Sequence, residues 1–112
     1  MIDKRNDSRA DLPYRTSQLL QADGLTLVLL DPDDYLADAN YIAMRKAGAP
    51  ALRNLWAFDR DGNKLWEAEM PETNDYYYAI DQGSRPTARS FSGYTCELDP
   101  RDGQIVSRVY HK

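Results

Sequence analysis

Three Asp-Gly pairs, Asp23-Gly24, Asp61-Gly62 and Asp102-Gly103, recur along the chain with their glycines 38 and 41 residues apart. Each lies between two runs that read as β-strands. Asp-Gly between such runs is a strong hairpin signal, because glycine accepts the positive φ that a tight turn demands. The chain therefore reads as an antiparallel β protein assembled from repeated hairpins.

The flanking runs place about eight strands. Ser17 to Gln21 and Leu25 to Leu30 flank the first turn, Leu52 to Asp59 and Lys64 to Met70 the second, and Tyr94 to Asp99 and Gln104 to Tyr110 the third. Tyr76 to Asp81 and Thr87 to Ser92 add a further pair, joined by Gln82-Gly83-Ser84-Arg85-Pro86. At the second turn a three-residue loop, Arg60-Asp61-Gly62, sets Asp59 opposite Asn63 and, counting outward, Trp56 opposite Trp66. That frame puts both tryptophans on one face and Leu55, Ala57 and Leu65 on the other, so both faces need covering. Strict alternation on the next strand puts Tyr76, Tyr78 and Ile80 on one side.

One helix is legible between the first two hairpins. Asp31 suits the N-cap and Pro32 the first helical position, where its missing N–H is not needed. Asp33 and Asp34 complement the positive end of the dipole, and Arg45 and Lys46 the negative end. Gly48 and Pro50 stop the helix. An apolar stripe from Tyr35 to Ala47 gives a helix over 32–47, packed on the sheet. Residues 1–14 are polar, charged and aperiodic, and read as a mobile N-terminal tail. The remainder, 15–112, is one domain of mainly β (α+β) class: an antiparallel meander of about eight strands, propeller-blade-like, with one helix.

Composition closes off several function classes. The 112 residues suffice for one core, and 42% hydrophobic with 29% charged residues is ordinary for a soluble globular chain. Cys96 is the only cysteine, so no intrachain disulfide points to an oxidising compartment. The N-terminal MIDKRNDSRADLPYR lacks the apolar run of a signal peptide, and Leu27 to Leu30 is too short to span a bilayer. A cytoplasmic protein without a membrane partner is expected. A net charge of −4 argues against nucleic acid. His111, the only histidine, is too near the end to be held as a general base, and Cys96 lacks a fixed activating histidine. No Cys/His set has metal spacing. Asp31-Pro32-Asp33-Asp34 lacks the glycine and distal glutamate of a calcium loop. No catalytic residue, metal or cofactor is expected.

A repeat near 40 residues is the period of a propeller blade, although a chain of this length cannot close a ring of about four such blades. The segment Trp56-Ala57-Phe58-Asp59-Arg60-Asp61-Gly62-Asn63-Lys64-Leu65-Trp66 resembles a quinoprotein-type blade, matching its Ala, Asp, Gly and Trp at 57, 59, 62 and 66 with a turn one residue shorter. The copy at Asp99 to Gly103 keeps the longer turn but has Ser107 in place of the tryptophan. Residues 52–110 resemble more closely a class of short bacterial proteins of unknown function with one WAFD…G…LW hairpin and a later GY…LD…G hairpin. In the blade repeat these residues are structural, so the resemblance implies no cofactor site and no activity.

The candidate contact residues are of two kinds. Asp23, Asp34 and Asp38 belong to a stretch with no Lys or Arg between Arg15 and Arg45, which would form an acidic face. Trp56, Trp66, Tyr76 and Tyr78 would form a hot spot or a stacking platform where exposed. The expected function is a small non-catalytic protein-interaction module, one form of which is an immunity-type inhibitor meeting a basic toxin. Its partner would be another protein, or a second copy completing the sheet. The alternatives are a carbohydrate-like ligand bound on the aromatic face, and an enzyme of unidentified kind.

Overall fold

The structure is a computed structural model that describes residues 12–22 and 24–111. Eight strands follow in chain order: β1 (Thr16–Ala22), β2 (Leu25–Leu30), β3 (Leu55–Phe58), β4 (Lys64–Glu67), β5 (Tyr77–Gln82), β6 (Pro86–Ser90), β7 (Tyr94–Leu98) and β8 (Ile105–Tyr110). Two short helices, α1 (Pro32–Tyr35) and α2 (Ala39–Lys46), lie between β2 and β3. The strands make two four-stranded antiparallel sheets, β1-β2-β3-β4 and β5-β6-β7-β8. Within each sheet, strands pair only with their neighbours in sequence, and β4 and β5 do not pair. The mainly β meander of eight strands is thus the observed class, divided after β4 into two sheets.

The turns are built from the residues expected to build them. Asp59 N–H donates to the Asn63 carbonyl at 2.9 Å, and Gly62 closes the loop at φ 84°. At the third turn Asp99 N–H donates to the Gln104 carbonyl at 2.8 Å, with Gly103 at φ 75°.

The main core lies between the sheets. Leu27, Leu29, Leu55, Ala57 and Trp66 from the first sheet meet Tyr77, Ile80, Ala88, Cys96 and Leu98 from the second. Full burial of each large apolar side chain among these contributes roughly 1.5–3 kcal/mol. β2 is apolar on both faces, so a second cluster forms behind it: Val28, Leu30 and Phe58, covered by Leu12, Leu52 and Trp56.

Two side-chain amides join the sheets. Asn54, fully buried, donates to the carbonyls of Leu30 (2.9 Å) and Tyr77 (2.8 Å), while its Oδ1 accepts from Tyr77 N–H at 2.9 Å. Gln18 repeats the device, donating to the Ile80 carbonyl and accepting from Ile80 N–H, both at 2.9 Å. Each amide stands in for a strand residue, taking the N–H and C=O of Tyr77 and of Ile80 on the β5 edge.

Four expectations change. The single helix over 32–47 is two: Asp38 is extended (φ −74°, ψ 127°) and caps α2 by accepting from Tyr41 N–H at 2.9 Å. An aspartate that satisfies a free backbone N–H starts a new helix more readily than it continues an old one. Trp56 and Trp66 do not face each other. Phe58 pairs with Lys64 as expected, but a bulge at Leu65 then sets Ala57 opposite Trp66 and Trp56 opposite Glu67. Because strand side chains alternate, the one-residue slip sends Trp66 into the core and Trp56 to the outer face. A second bulge, at Tyr78, breaks the alternation of β5, so Tyr77 and Ile80 point into the core while Tyr78 is exposed. Finally, Leu12 and Tyr14, assigned to the tail, pack on the body: Leu12 on the second cluster, and Tyr14 5.5 Å from the Tyr35 ring.

Candidate functional site

The aspartates expected to make an acidic face are engaged in local structure. Asp31 caps α1 through Asp33 N–H and pairs with the Arg15 guanidinium at 3.1 Å. Asp34 accepts from the Arg15 backbone N–H at 2.7 Å, and Asp38 caps α2. Asp23 lies outside the described residues. Arg15 thus supplies the stretch with a cation from its own border.

The aromatic candidates separate. Trp66 is 8% exposed; its indole Nε1 donates to the Pro100 carbonyl at 3.0 Å, and its ring lies against Gly103. It is a core residue. Trp56 is half-buried, donates to the Arg53 carbonyl at 2.7 Å and carries the Lys64 ammonium 3.4 Å above its ring. Tyr76 is half-buried and stacks on Phe91, with centroids 5.1 Å apart and planes at 19°. Tyr78 stands exposed on the bulge of β5. Tyr76 and Tyr78 are thus brought near one end of the second sheet, and Trp56 and Trp66 are not brought together.

The second sheet presents apolar surface that the candidates above did not include. Phe91 is 69% exposed, Val109 58% and Tyr110 59%, and Val106 is exposed as well. Val109 and Tyr110 lie on β8, the last strand of its sheet. The hydrogen bond from His111 N–H to the Gly93 carbonyl sets the parity of the β7–β8 ladder. Antiparallel ladders alternate, so Val109 and Ser107 turn their backbone groups to β7 while Arg108 and Tyr110 turn theirs outward. The signal was present in the sequence: Ile-Val-Ser-Arg-Val-Tyr is apolar at both parities, which a strand with one solvated face does not need.

The four sheet edges are treated differently. Gln18 and Asn54 cover β5, and Gln18 also ties β1 to it. β4 has four residues and carries the Lys64–Glu67 ion pair. β8 has six residues and one charge, Arg108, which folds away from the edge: its guanidinium donates to the Pro71 carbonyl at 2.7 Å and lies 5.1 Å from the Tyr94 ring centroid. Short strands, charges and covering groups are the usual protections of an edge. Among the described residues β8 is covered only at its start, where Ile105 N–H donates to the Glu69 carboxylate at 2.9 Å, and Arg108 and Tyr110 have no covering group.

Two groups of catalytic type, Cys96 and Asp75, are buried. Cys96 is fully buried in the core, and burial pushes its thiol up. Asp75, also buried, accepts from the N–H groups of Tyr76 (2.9 Å) and Ser92 (3.0 Å) and from the Ser92 hydroxyl, tying the start of β5 to the β6–β7 turn. Among the described residues no three His, Cys, Asp or Glu side chains gather as a metal site, and no helix is long and apolar enough to cross a membrane.

These features define a small antiparallel β protein of two four-stranded meanders with one edge, β8, open beyond its first residue. The chain belongs to the family described as Domain of unknown function (DUF7957), whose model matches residues 4–110. No curated protein and no solved structure matches it.

Proposed function

We propose that this chain is a non-catalytic protein-interaction module that binds an extended segment of another protein along β8. The observation that carries the reading is the edge itself: outward backbone groups at Arg108 and Tyr110, flanked by exposed Val109 and Tyr110. An added strand gains affinity from main-chain hydrogen bonds and specificity from the side chains beside it. The Glu97 carboxylate, which accepts from the Ser107 hydroxyl at 3.2 Å, gives the outer face beside β8 a negative group. With the net charge of −4, it suits a basic segment. An immunity-type inhibitor of a basic toxin is one form of this function, with the contact on β8 rather than on the aspartates of 31–38. A cytoplasmic location fits such a role.

The test uses a partner recovered by cross-linking in the native cell. Val109→Lys places a charge on the edge with the fold intact, and should weaken that partner at least about tenfold, a change of about 1.4 kcal/mol. Amide exchange at residues 105–110 should slow when the partner binds. Unchanged affinity in the variant, or protection confined to another strand, would reject β8 as the contact.

A further inference from the structure

A strand added to β8 bonds only to residues that turn their backbone groups outward, here Arg108 and Tyr110. β8 itself has the character argued for such a strand: it is largely apolar, and its one charge is basic. A second copy of β8, related to the first by a two-fold axis, can approach this edge in only a few registers.

Centred on Arg108, the pairing sets two guanidinium groups opposite each other, and like charges directly opposite are destabilising. Centred on Tyr110, half of the contact runs past the last residue of the strand. Centred on Ser107, it runs into the start of β8, where the Glu69 carboxylate already takes the Ile105 N–H at 2.9 Å. An axis between two residues sets an outward residue against an inward one, and the bonds cannot form. Within the open stretch only an axis on Val109 remains.

That register is complementary. Arg108 faces the partner's Tyr110, and both this pair and its symmetric mate exchange main-chain bonds in both directions. Arg108 already lies 5.1 Å from the Tyr94 ring, which meets Tyr110 edge-on at 5.3 Å. The partner's Tyr110 therefore adds a ring beside an existing cation–aromatic cluster, and the one charge of β8 meets no like charge. On the outer face Val109, 58% exposed, is set against its own copy. The partner's His111 falls opposite Ser107, beside the Glu97 carboxylate.

We infer that, without a foreign segment, two copies of this chain pair antiparallel through β8 about an axis at Val109, joining their second sheets into one. Like the proposed function, this pairing rests on the open β8 edge, and it makes the foreign segment a competitor of the second copy. A contact of one strand on each side belongs with the weak, transient interfaces.

Sedimentation equilibrium of the full chain from about 10 μM to about 1 mM should show the mass rising toward that of a dimer. Val109→Lys sets two ammonium groups across the axis and should weaken association at least about tenfold. Cysteines read the register. Residues opposite in a non-hydrogen-bonded pair have Cα atoms about 4.5 Å apart, within the roughly 4.4–6.8 Å that a disulfide spans. Val109→Cys should therefore cross-link two copies in oxidised glutathione, and Ser107→Cys, which faces His111, at least about tenfold more slowly. Both side chains are exposed, so the fold tolerates the changes, and the native Cys96 is buried and does not compete. A constant mass over that range, native association by Val109→Lys, or equal cross-linking of the two cysteine variants would overturn the self-pairing. A monomeric chain whose β8 is still protected by a cellular partner would overturn it too, and leave the proposed function standing. A dimer that such a partner leaves intact would support it, and reject β8 as the partner's contact.

Discussion

Gly103 lies directly beneath the indole of Trp66: a Cβ at this glycine would overlap the ring carbon Cε3. The indole cannot retreat easily, because its Nε1 is bonded to the Pro100 carbonyl of the same turn. Gly103 also holds φ 75°, a conformation that costs a residue with Cβ about 1–2 kcal/mol. Overpacking against a fixed ring adds about 1–3 kcal/mol. Gly103→Ala should therefore destabilise by about 2–4 kcal/mol, the sum of those two costs. Gly62→Ala, at φ 84°, carries the backbone cost and should lose about 1–2 kcal/mol. Chemical denaturation of both variants decides the matter. Equal losses would remove the indole from the account.

Asn54 should be the most sensitive polar residue of the core. It makes three hydrogen bonds while fully buried, two of them to the backbone of Tyr77 in the other sheet. Asn54→Ala leaves buried N–H and C=O groups without partners, each costing about 1–3 kcal/mol, for a total of roughly 3 kcal/mol or more. Gln18→Ala breaks the same kind of bridge at a half-buried position that water can reach, and should cost about 1–2 kcal/mol. Urea midpoints at constant m-value are the measurement. A smaller loss for Asn54 than for Gln18 would contradict the ranking.

The two positions also show what could and could not be read from the sequence. Turn residues and strand-length apolar runs placed all eight strands within a few residues, because Asp-Gly chemistry and strand pairing are local. Facing was lost at two bulges. The extra residues Leu65 and Tyr78 carry no glycine or other local mark, and each reverses the side chains beyond it. The amide bridges at Asn54 and Gln18 were illegible for a different reason. They join residues 23 and 62 positions apart, a distance that no local pattern spans. The helix boundary at Asp38 was legible in principle, since aspartate three residues before Tyr41 is a capping arrangement, but a continuous apolar stripe obscured it. Of the site, the aromatic content was visible in the sequence. The openness of β8 depends on Arg108 turning to Pro71, which only the tertiary fold determines.

Cys96 should resist thiol reagents in the native state. It is fully buried and burial raises its thiol above the usual range, so the thiolate that reacts is scarce and enclosed. Alkylation by iodoacetamide at about pH 8, near the ordinary thiol value, should follow the rate of global unfolding and reach completion only in denaturant. Rapid labelling without denaturant would show that the space between the sheets opens locally.

Stability should fall at both ends of the pH scale, for opposite reasons. The Arg101 guanidinium, bonded to the Asp99 carboxylate at 2.9 and 3.1 Å, holds that acid at about 2, below its ordinary 3.8. Asp59 is lowered too, first by the Asn63 backbone N–H. A depressed carboxyl stabilises the fold above its ordinary value, and that contribution is lost as pH falls through the folded value. The acid limb should therefore steepen between pH 4 and 2, and Asp99→Asn should flatten it. Tyr77 and Tyr35 behave in the reverse sense. Burial raises both phenols above their ordinary 10.0, so the fold favours the neutral form. Their contribution is complete below pH 10 and is lost as pH rises beyond it. The two can be separated, because the Tyr77 hydroxyl donates to the Glu69 carbonyl at 2.6 Å while the Tyr35 hydroxyl has no partner among the described residues. Tyr77→Phe should lower stability at neutral pH and flatten the alkaline limb, whereas Tyr35→Phe should flatten that limb with no loss at neutral pH. Denaturant midpoints measured from pH 2 to 11 are the test, and an alkaline limb unchanged in both variants would show that neither phenol governs it.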